Sequence, residues 1–534
     1  MITRLYKLLT LALTFFSLFT FCFYPSNASA QSNADVVVYM DSTAQLIRGF
    51  GAANIVGWRP DLSEEEVEKA FGMEEGQLGL SILRIRIPPN ENQWSSNLAT
   101  AQKAHEMGIK IIASPWSPPS DMKTNGDLVG GHLREDAYAD YADFLNRFAI
   151  YMEENDAPLY GISIQNEPDI EVSYESCDWT PEEMTNFMRD HASSIEATRV
   201  IAPESFQFRR EMSNPILNDS LAAANLDILG GHIYGGGNAR YPLAEEKGKE
   251  IWMTEYLMNL GTGNSGSDSW SSYSEAEIWE ETIDMLVSIN SSMRNNWNAY
   301  IWWYLQRYYS FIGDGDEGTT DGEILKRGYA FSHFSRFIRP GFERVHSFGP
   351  AGRGLIRVYA TAYKDGDKLV IVAINDEPGD KELTFEVEDG TPMTLEQYRS
   401  SVSQNVEQLE DVEVSGRQFT ISMPSGTVTT LVADYLPVSN EKEQGKPTSF
   451  ELKQNYPNPF NPSTVISYQL PVSSEVSLKV FDMLGREVAS LVNTRQSAGA
   501  HQASFDASSL SSGMYIYRLQ AGSLVQTRKM MLIK

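Results

Sequence analysis

Two glutamates stand where apolar runs of the chain end, and their placement suggests acid–base and nucleophilic chemistry. Glu167 follows the run ISIQN and precedes Pro168, and Glu255 follows the run IWMT. Charged side chains are rarely buried unless they are paired or used in function. A retaining glycosidase uses two carboxyl groups ~5 Å apart, one to protonate the leaving oxygen and one to attack the anomeric carbon. Either glutamate alone is equally well explained as a structural ion-pair partner, whereas the two together favour catalysis.

A catalytic pair of carboxyl groups needs a fold that brings the ends of separate strands together. Between residues 48 and 340 the chain alternates short apolar runs with longer helical patterns, which predicts repeated βα units. Eight units over this length fit a (β/α)8 barrel, whose active sites lie at the C-terminal ends of the strands. Glu167 and Glu255 then follow the fourth and seventh strands and face each other across the barrel mouth. The predicted strands are 49–52, 82–86, 110–113, 159–164, 199–202, 226–233, 250–253 and 299–303.

The segments on both flanks of the barrel have a different periodicity. From residue 354 to 436 apolar residues alternate with polar ones, which predicts a β domain over residues 341–437. Residues 36–39, within the N-terminal segment 31–47, form another short apolar run. We expect this run to supply a strand to the same side β-sandwich, so that both flanks of the barrel build one domain.

Composition limits the class of partner. The chain has 534 residues, 42% of them hydrophobic, and 43 Lys and Arg against 71 Asp and Glu give a net charge of −28. Such a surface repels phosphate backbones, so we expect no nucleic-acid partner. The length predicts two to four domains at roughly 150 residues each. We expect a monomer.

The N-terminus has the features of a secretory signal over residues 1–30. Arg4 and Lys7 precede an apolar run at 8–23, and the small residues at 28–30 suit cleavage after Ala30. An uncleaved membrane anchor is the alternative, although the run is shorter than the ~20 residues of a typical span. Cleavage removes one of the 2 cysteines and leaves Cys177, so no internal disulfide is expected.

The C-terminal end follows a polar linker at 438–447. From 448 to 534 short alternating runs are separated by turn clusters, which predicts a small β-sandwich. The motifs YPNPFNP (456–462), VFDMLGR (480–486) and SGMYIY (512–517) resemble the type A C-terminal sorting domain of the type IX secretion system. That resemblance implies the type IX machinery as a partner and a secreted or cell-surface location. A carbohydrate-binding or spacer sandwich is the alternative.

The central region resembles a known enzyme family. Its motifs are GFG (49–51), LRIR (83–86), SPWSPP (114–119), QNEP (165–168), HIY (232–234) and WW (302–303). They are similar to those of the retaining glycosidases with acid and nucleophile after strands four and seven, and within that clan to glycoside hydrolase family 30. The resemblance implies Glu167 as the acid/base, Glu255 as the nucleophile, and a side β domain built from both flanks.

Other residues of these motifs have both a functional and a structural interpretation. Asn166 can donate to the substrate 2-hydroxyl or cap its loop, and the Tyr234 hydroxyl can hold the nucleophile ionised or simply be buried. Trp116 and Trp303 offer flat faces to sugar rings, although tryptophans at a barrel rim are also core residues. Arg86 can hydrogen-bond a catalytic carboxylate or pair with a structural acid. His232 is expected to be structural.

Substrate choice is expected to depend on the segment after the eighth strand. In the glucuronoxylan-specific subfamily that the chain resembles, an arginine and a tyrosine at the positions of Arg307 and Tyr309 bind the glucuronate branch of xylan. An arginine guanidinium can bind a carboxylate through two parallel hydrogen bonds, which fits binding of the glucuronate branch. A salt bridge at the rim is the alternative. The chain departs from the subfamily at Leu257, where a tyrosine is usual, at Tyr308, and in a longer stretch at 313–322.

No spacing of His, Asp and Glu demands a metal, and no cofactor is expected. The run Asp314-Gly-Asp316-Glu317-Gly318 is calcium-like but lacks the further ligands of a calcium loop, so we expect a solvated acidic loop. The sequence thus predicts a secreted retaining endo-β-1,4-xylanase with xylan or glucuronoxylan as its polysaccharide partner. The alternatives are another family 30 activity (β-glucosidase, β-1,6-glucanase or xylobiohydrolase) and a non-catalytic glycan-binding surface protein.

Overall fold

A computed structural model describes residues 34–260, 269–349, 356–437 and 450–533, apart from 456, 473, 497, 509 and 522–523. The predicted signal at 1–30 and the predicted linker at 438–447 lie outside these residues. The chain divides into two compact units, Met1–Pro437 and Val438–Lys534. None of the helices in the described ranges is both long and apolar enough to cross a bilayer.

The first unit contains a closed barrel of eight parallel strands, which confirms the predicted fold. Strand β1 (Val36–Leu46) precedes it, and pairing of the last barrel strand with the first closes the ring. Each observed strand overlaps its predicted counterpart. In chain order the barrel strands β2–β9 are Gly49–Asn54, Ile82–Ile87, Lys110–Pro115, Gly161–Ser163, Arg199–Ser205, Ile228–His232, Glu250–Glu255 and Ala299–Tyr304.

Nine α-helices are described in this unit, and several begin at well-formed caps. Ser63, Thr180 and Ser274 each form a capping box, in which the cap and the third helical residue satisfy each other's backbone N–H groups. Helices α1–α9 are Glu64–Phe71, Leu98–Glu106, Tyr138–Glu154, Pro181–Asp190, Arg210–Asn218, Ser220–Ala224, Pro242–Glu246, Glu275–Arg294 and Lys326–Ser335. Short 3₁₀ helices are Glu91–Asn97, Ser120–Met122, Glu135–Ala137, Ala192–Ser194 and Trp270–Ser272.

The inside of the barrel is apolar at its base and carries charged side chains nearer the C-terminal ends of the strands. In β3 alternate side chains share a face, so Ile82, Arg84 and Arg86 lie at successive heights on the same side of the strand. Ile82 belongs to an apolar cluster contributed by six barrel strands, which also includes Ile112, Ile201 and Trp252. The charged side chain of Arg84 therefore lies one layer above an apolar base, toward the C-terminal ends of the strands.

Beside the barrel, β1 joins nine later strands in one sheet. It pairs antiparallel with the first strand after the barrel, Glu343–Phe348, and parallel with the fourth, Lys381–Glu388, so the segments before and after the barrel meet in this sheet. The sheet has its own apolar core, which includes Val36, Phe385 and Leu431. Strands β10–β18 are Glu343–Phe348, Val358–Asp365, Lys368–Asn375, Lys381–Glu388, Gly390–Pro392, Glu396–Ser400, Glu407–Gln408, Gln418–Met423 and Thr427–Pro437.

The second unit is a small β structure with two sheets of three and four strands. Burial alternates along Ser463–Leu470, Ser474–Asp482 and Gly513–Ala521, as the period-2 pattern predicted, and the inward residues Ile466, Leu478 and Tyr517 share one core. Strands β19–β25 are Glu451–Leu452, Ser463–Leu470, Ser474–Asp482, Glu487–Gln496, Gly499–Asp506, Gly513–Ala521 and Leu524–Leu532.

Candidate active site

The structure brings Glu167 and Glu255 together at the barrel mouth. Glu255 is the last residue of β8, and Glu167 follows β5 by four residues. Both are 5% exposed. One carboxylate oxygen of each lies within 4.8 Å of the other, and a ring nitrogen of His232 lies within the same distance of both. The two carboxylates border a cleft of about 260 Å³.

The backbone holds Glu167 in an unusual conformation. Its φ is +47°, in the left-handed region that residues other than glycine rarely adopt. The Glu167 N–H donates to the Glu204 carbonyl at 3.1 Å, and the preceding Asn166 N–H donates to the Pro115 carbonyl at 2.8 Å. These bonds to the neighbouring strand ends fix the segment on both sides. Backbone strain that persists under such constraint is typical of functional sites.

Glu255 receives two hydrogen bonds that favour its charged form. Arg84 Nη1 donates to Oε2 at 2.6 Å, and the Tyr234 hydroxyl donates to Oε1 at 2.9 Å. Arg84 Nη2 also donates to Asn166 Oδ1 at 2.7 Å. Burial raises the pKa of Glu255 above its ordinary value and the Glu167 charge adds to the rise, although Arg84 opposes it.

Glu167 has different partners. Its Oε1 lies 2.9 Å from His232 Nδ1, and its Oε2 accepts from the Tyr174 hydroxyl at 3.2 Å. Although burial lowers the pKa of His232, the charges of Glu255 and its other carboxylate neighbours outweigh this and raise it to about 9. His232 is therefore a cation at neutral pH, and it donates to Glu167 rather than accepting from it.

A fully buried third carboxylate links the two cations. Glu204 Oε1 lies 3.5 Å from Arg84 Nη2 and 3.9 Å from His232 Nε2. Burial alone would raise the pKa of Glu204, but the charges of Arg84 and His232 hold it well below its usual range. The order of charges is thus Glu255, Arg84, Glu204, His232, Glu167. Two cations and one fixed anion leave one positive charge, which is balanced when the two cleft glutamates carry one negative charge and one proton between them.

Aromatic rings form the walls of the cleft. Trp116 lies between Trp58 and Trp303, with ring centroids 5.2 and 5.7 Å away. Trp116 and Trp303 are 2% and 9% exposed, so each is mostly a core residue that presents one face. Flat apolar faces beside a carboxylate pair suit the C–H faces of sugar rings. The cleft is lined by Trp58, Trp116, Glu167, Tyr174, Phe206, Tyr234, Glu255, Leu257 and Trp303.

Comparison with known proteins identifies the family of the chain. Residues 69–307 match the profile described as the glycosyl hydrolase family 30 TIM-barrel domain. Glucuronoxylanase XynC of Bacillus subtilis strain 168 is 39% identical over 444 residues, which cover 81% of this chain and 100% of that protein. The chain belongs to glycoside hydrolase family 30. It is therefore a glycoside hydrolase, and the predicted family resemblance is confirmed.

Solved family 30 structures have the same fold. The family 30 subfamily 8 xylanase Xyn30A of Clostridium acetobutylicum superposes with a TM-score of 0.67 at 33% identity, covering 75% of this chain and 99% of that one. A family 30 endoxylanase of Clostridium papyrosolvens C71 gives 0.63 at 37% identity, covering 75% and 100%. The similarity in each case spans nearly the whole of the other chain.

The C-terminal unit has a separate match. Residues 454–534 match the profile described as a secretion system C-terminal sorting domain. This match confirms the type IX sorting domain predicted from the motifs and makes the family 30 chain a secreted protein.

The arginine that contacts a cleft carboxylate in this family 30 chain is Arg84 rather than the predicted Arg86. The Arg86 guanidinium pairs with Glu175, with Nε at 2.8 Å from Oε2, and lies 5.7 Å from the ring centroid of Trp58. The two arginines are on the same face of β3, and only the deeper one reaches Glu255. Arg86 thus supports the wall of the cleft through Trp58.

At the rim, Arg307 is already paired. Its Nη1 donates to Asp314 Oδ2 and Asp316 Oδ2, both at 2.6 Å. The expectation of a solvated acidic loop is wrong for Asp314, whose side chain is 3% exposed. Tyr309 is buried beside Trp303 in an aromatic cluster. Neither Arg307 nor Tyr309 is among the residues that line the cleft.

Several residues of the site were not predicted from the sequence: Arg84, Glu204, Tyr174, Trp58 and Phe206. The signal for Glu204 was present, since a glutamate two residues beyond a predicted barrel strand end occupies the same kind of position as Glu167. Tyr174 and Trp58 lie in loops without periodicity, so only the folded structure places them in the cleft.

Proposed function

We propose that this protein is an endo-β-1,4-xylanase that hydrolyses xylan, including glucuronoxylan, with retention of anomeric configuration. The observation that carries the proposal is the separation of the Glu167 and Glu255 oxygens, which lie within 4.8 Å. Retaining enzymes place their carboxyl groups ~5–5.5 Å apart, whereas inverting enzymes need ~6.5–9.5 Å for a water molecule. The names of its relatives, a glucuronoxylanase and two xylanases of the same family, support xylan as the substrate.

In the first step Glu255 attacks the anomeric carbon while Glu167 gives its proton to the leaving glycosidic oxygen. The C–O bond to the leaving sugar breaks and a covalent glycosyl–Glu255 ester forms. Arg84 and Tyr234 hold the attacking carboxylate ionised and fix its orientation. Because Arg84 donates to the side-chain oxygen Oδ1 of Asn166, the side-chain nitrogen Nδ2 is left to donate to the sugar 2-hydroxyl, a bond that strengthens in the transition state.

In the second step Glu167 acts as a base. It takes a proton from water as the oxygen of that water attacks the anomeric carbon and releases Glu255. The carboxylate form of Glu167 is stabilised by His232, whose raised pKa of about 9 keeps it cationic at neutral pH. The net charge of the buried network favours one negative charge on the glutamate pair. Glu255 carries that charge before the first step, and Glu167 carries it before the second step, when Glu255 is esterified.

The central test separates the roles of the two glutamates. Glu255→Ala is expected to lower kcat by ~10⁴-fold or more, because no other group can form the ester. Glu167→Ala is expected to lower kcat by ~10²–10⁴-fold. With an aryl β-xyloside, whose leaving group departs without protonation, azide should restore turnover in both variants, giving an α-glycosyl azide with Glu255→Ala and a β-glycosyl azide with Glu167→Ala.

The matched control is Glu250→Gln, at the opposite end of the same strand as Glu255, where Glu250 pairs with Arg48 away from the cleft. It should leave kcat nearly unchanged. Product analysis on glucuronoxylan, linear xylan and β-1,6-glucan tests the substrate class. Turnover of β-1,6-glucan alone would refute the xylanase assignment, and binding without turnover in the wild type would favour a glycan-binding protein.

A further inference from the structure

A second cavity lies at the end of the barrel opposite the catalytic cleft. Its volume is about 500 Å³, and its walls come from the residues before β8 and β9, the end of α8, and facing parts of β1 and β10. Strand β8 begins at Glu250, directly after the cavity residue Lys249, and ends at Glu255 in the cleft. A strand of this length spans about 17–20 Å, so the cavity and the cleft are separate sites.

The cavity carries an excess of positive charge. Four cations and one carboxylate line it: Arg240, Lys249, Arg294, Arg344 and Glu245. Arg240 pairs with Glu245, with Nη2 at 2.7 Å from Oε2. Among the residues that the structure describes, no carboxylate forms an ion pair with any of the other three cations. Three uncompensated positive charges thus face one cavity, in a chain whose net charge is −28.

Arg344 is the most informative of these cations because its side chain is buried. The residue is 4% exposed. Its Nε donates to Gln45 Oε1 at 2.8 Å and its Nη2 donates to Asn296 Oδ1 at 2.8 Å, so both of these partners are neutral amides. Burial lowers the pKa of Arg344, and the charges of Arg294 and Arg240 add to this effect, yet an arginine keeps its proton in proteins. Because buried charges are normally paired, this guanidinium favours an anion in the cavity.

The other two unpaired cations also have donors left for a ligand. Arg294 ends α8, where the helix dipole favours a cation, but the Met293 carbonyl at this helix end already accepts from Gln45 Nε2 at 2.6 Å. No residue in the described ranges accepts a hydrogen bond from Arg294. Lys249 Nζ donates to the Leu226 carbonyl at 2.6 Å, which uses one of its three N–H groups.

The lining favours recognition by charge and hydrogen bonding. None of the described residues that line the cavity is Trp, Tyr or Phe, so stacking on a sugar ring does not contribute. Burial and the charges of Arg344 and Arg240 lower the pKa of His346, which is therefore a neutral imidazole at pH 7. Small-molecule sites occupy ~300–1,000 Å³, so about 500 Å³ accommodates either an inorganic ion or a carboxylate on one sugar ring.

We propose that this cavity is an anion-binding site, in which Arg344, Arg294 and Lys249 hold a carboxylate or an inorganic oxyanion. The anion supplies the negative charge that the cavity lacks, and it joins β10 of the side sheet to α8 of the barrel. Inorganic phosphate and the carboxylate of a uronic acid both offer this chemistry. The inference does not depend on the proposed xylanase activity, because the cavity contains no residue of the cleft.

The test is calorimetric titration of the full chain with inorganic phosphate, D-glucuronate and the neutral sugar D-glucose. Constant ionic strength, set with chloride, separates binding at a site from general screening. The wild type should bind at least one of the two anions saturably, with one ion per chain. Saturable binding of phosphate but not glucuronate identifies an inorganic-ion site, and the reverse result identifies an acidic-sugar site. Glucose should give no binding that depends on the cavity residues.

Three variants show whether the bound anion occupies this cavity. Arg294→Gln removes an exposed cation and should raise Kd about tenfold, the contribution of one charge-assisted hydrogen bond. Glu245→Gln removes the carboxylate of the lining and frees Arg240, so it should lower Kd by about threefold or more. Lys247→Gln is the matched control, since it removes the same charge from an exposed turn beside the cavity and should change Kd by less than about twofold.

The variants also separate this inference from the proposed function. Both Arg294→Gln and Glu245→Gln should keep the wild-type kcat on xylan, which shows that they fold. Titrations without saturation for either anion in the wild type, or the same Kd in the wild type and Arg294→Gln, would overturn the anion site and leave the catalytic proposal intact. A wild type that binds the anion but cleaves no xylan would overturn the proposed function and leave the anion site intact.

Discussion

Glu204 is the residue through which both cleft glutamates share one buried charge network. It is fully buried, and its carboxylate lies between Arg84, which bonds to Glu255, and His232, which bonds to Glu167. Removing one partner of a buried charge pair leaves the others uncompensated and costs ~3–5 kcal/mol. We therefore infer that Glu204 positions both glutamates without touching the substrate.

Glu204→Gln tests this positioning role. The Glu204 charge helps to raise the pKa of His232 to about 9, so the pKa of His232 should fall when the charge is removed. His232 would then lose its proton at a lower pH, and the alkaline limb of the kcat profile should move toward neutral pH. We expect kcat to fall ~10–100-fold, a loss of ~1.4–2.7 kcal/mol in transition-state stabilisation, with KM little changed.

The control for this variant is again Glu250→Gln, which removes a carboxylate from the barrel without touching the network. If Glu204→Gln lowers thermal stability but leaves both limbs of the pH profile in place, Glu204 is only a structural residue.

The positions of the candidate site residues were predictable from the sequence where a place along a strand decides them. They were not predictable where the depth of a side chain in the barrel or the closure of two loops decides them. Glu167 and Glu255 were found because strand ends of a barrel meet at one mouth. The period of two places Arg84 and Arg86 on one face but cannot say which of them is level with Glu255. Nothing in the local sequence states that Asp314 pairs with Arg59, because that contact depends on how two loops close.

At the scale of elements, α9 joins the barrel to the side sheet through a buried histidine. His333 Nδ1 lies 2.7 Å from Thr430 Oγ1 on β18, and Nε2 lies 2.9 Å from Ser400 Oγ on β15. Burial and the nearby Arg336 charge lower the pKa of His333 from 6.5 to about 3. The junction therefore requires a neutral imidazole, in which one ring nitrogen donates to one hydroxyl group and the other accepts from the second hydroxyl group.

The sign of the resulting pH dependence follows from linkage. Between about pH 3 and 6.5 the unfolded chain binds a proton at His333 and the folded chain does not, so stability falls as the pH falls. The loss is ~1.4 kcal/mol per pH unit, or ~2 kcal/mol from pH 6.5 to 5. His333→Gln should remove this part of the slope in urea unfolding curves recorded at both pH values. The exposed His105→Gln is the control, and equal slopes in wild type and His333→Gln would exclude His333 as the source.

The elements themselves were predictable because their periodicity is strong. Barrel strands such as β9 are buried along nearly their whole length and appear as apolar runs, and β20 alternates because one face is buried. The loop at 313–322 has no such pattern, and its acidic composition predicted solvation. Its fold depends on the backbone pairing of Gly313 with Gly322 and Glu323, which composition does not reveal.

At the scale of the whole molecule, the candidate site and the sorting domain belong to different compact units. Every residue of the cleft lies within Met1–Pro437, and the sorting match begins at residue 454, within Val438–Lys534. Each unit has its own apolar core, so each meets the main requirement for folding alone. Catalysis and export should therefore be separable by truncation.

A chain that ends at Pro437 should keep the wild-type kcat and KM on xylan, because no cleft residue is lost. Calorimetry should show that the transition of the barrel unit is unchanged and that a second transition, present in the full chain, has disappeared. In a host with the type IX system, the full chain should reach the surface or medium and the truncated chain should stay within the cell envelope. A truncated enzyme with normal folding but lower kcat would mean that the C-terminal unit contributes to catalysis, and export of the truncated chain would place the sorting signal elsewhere.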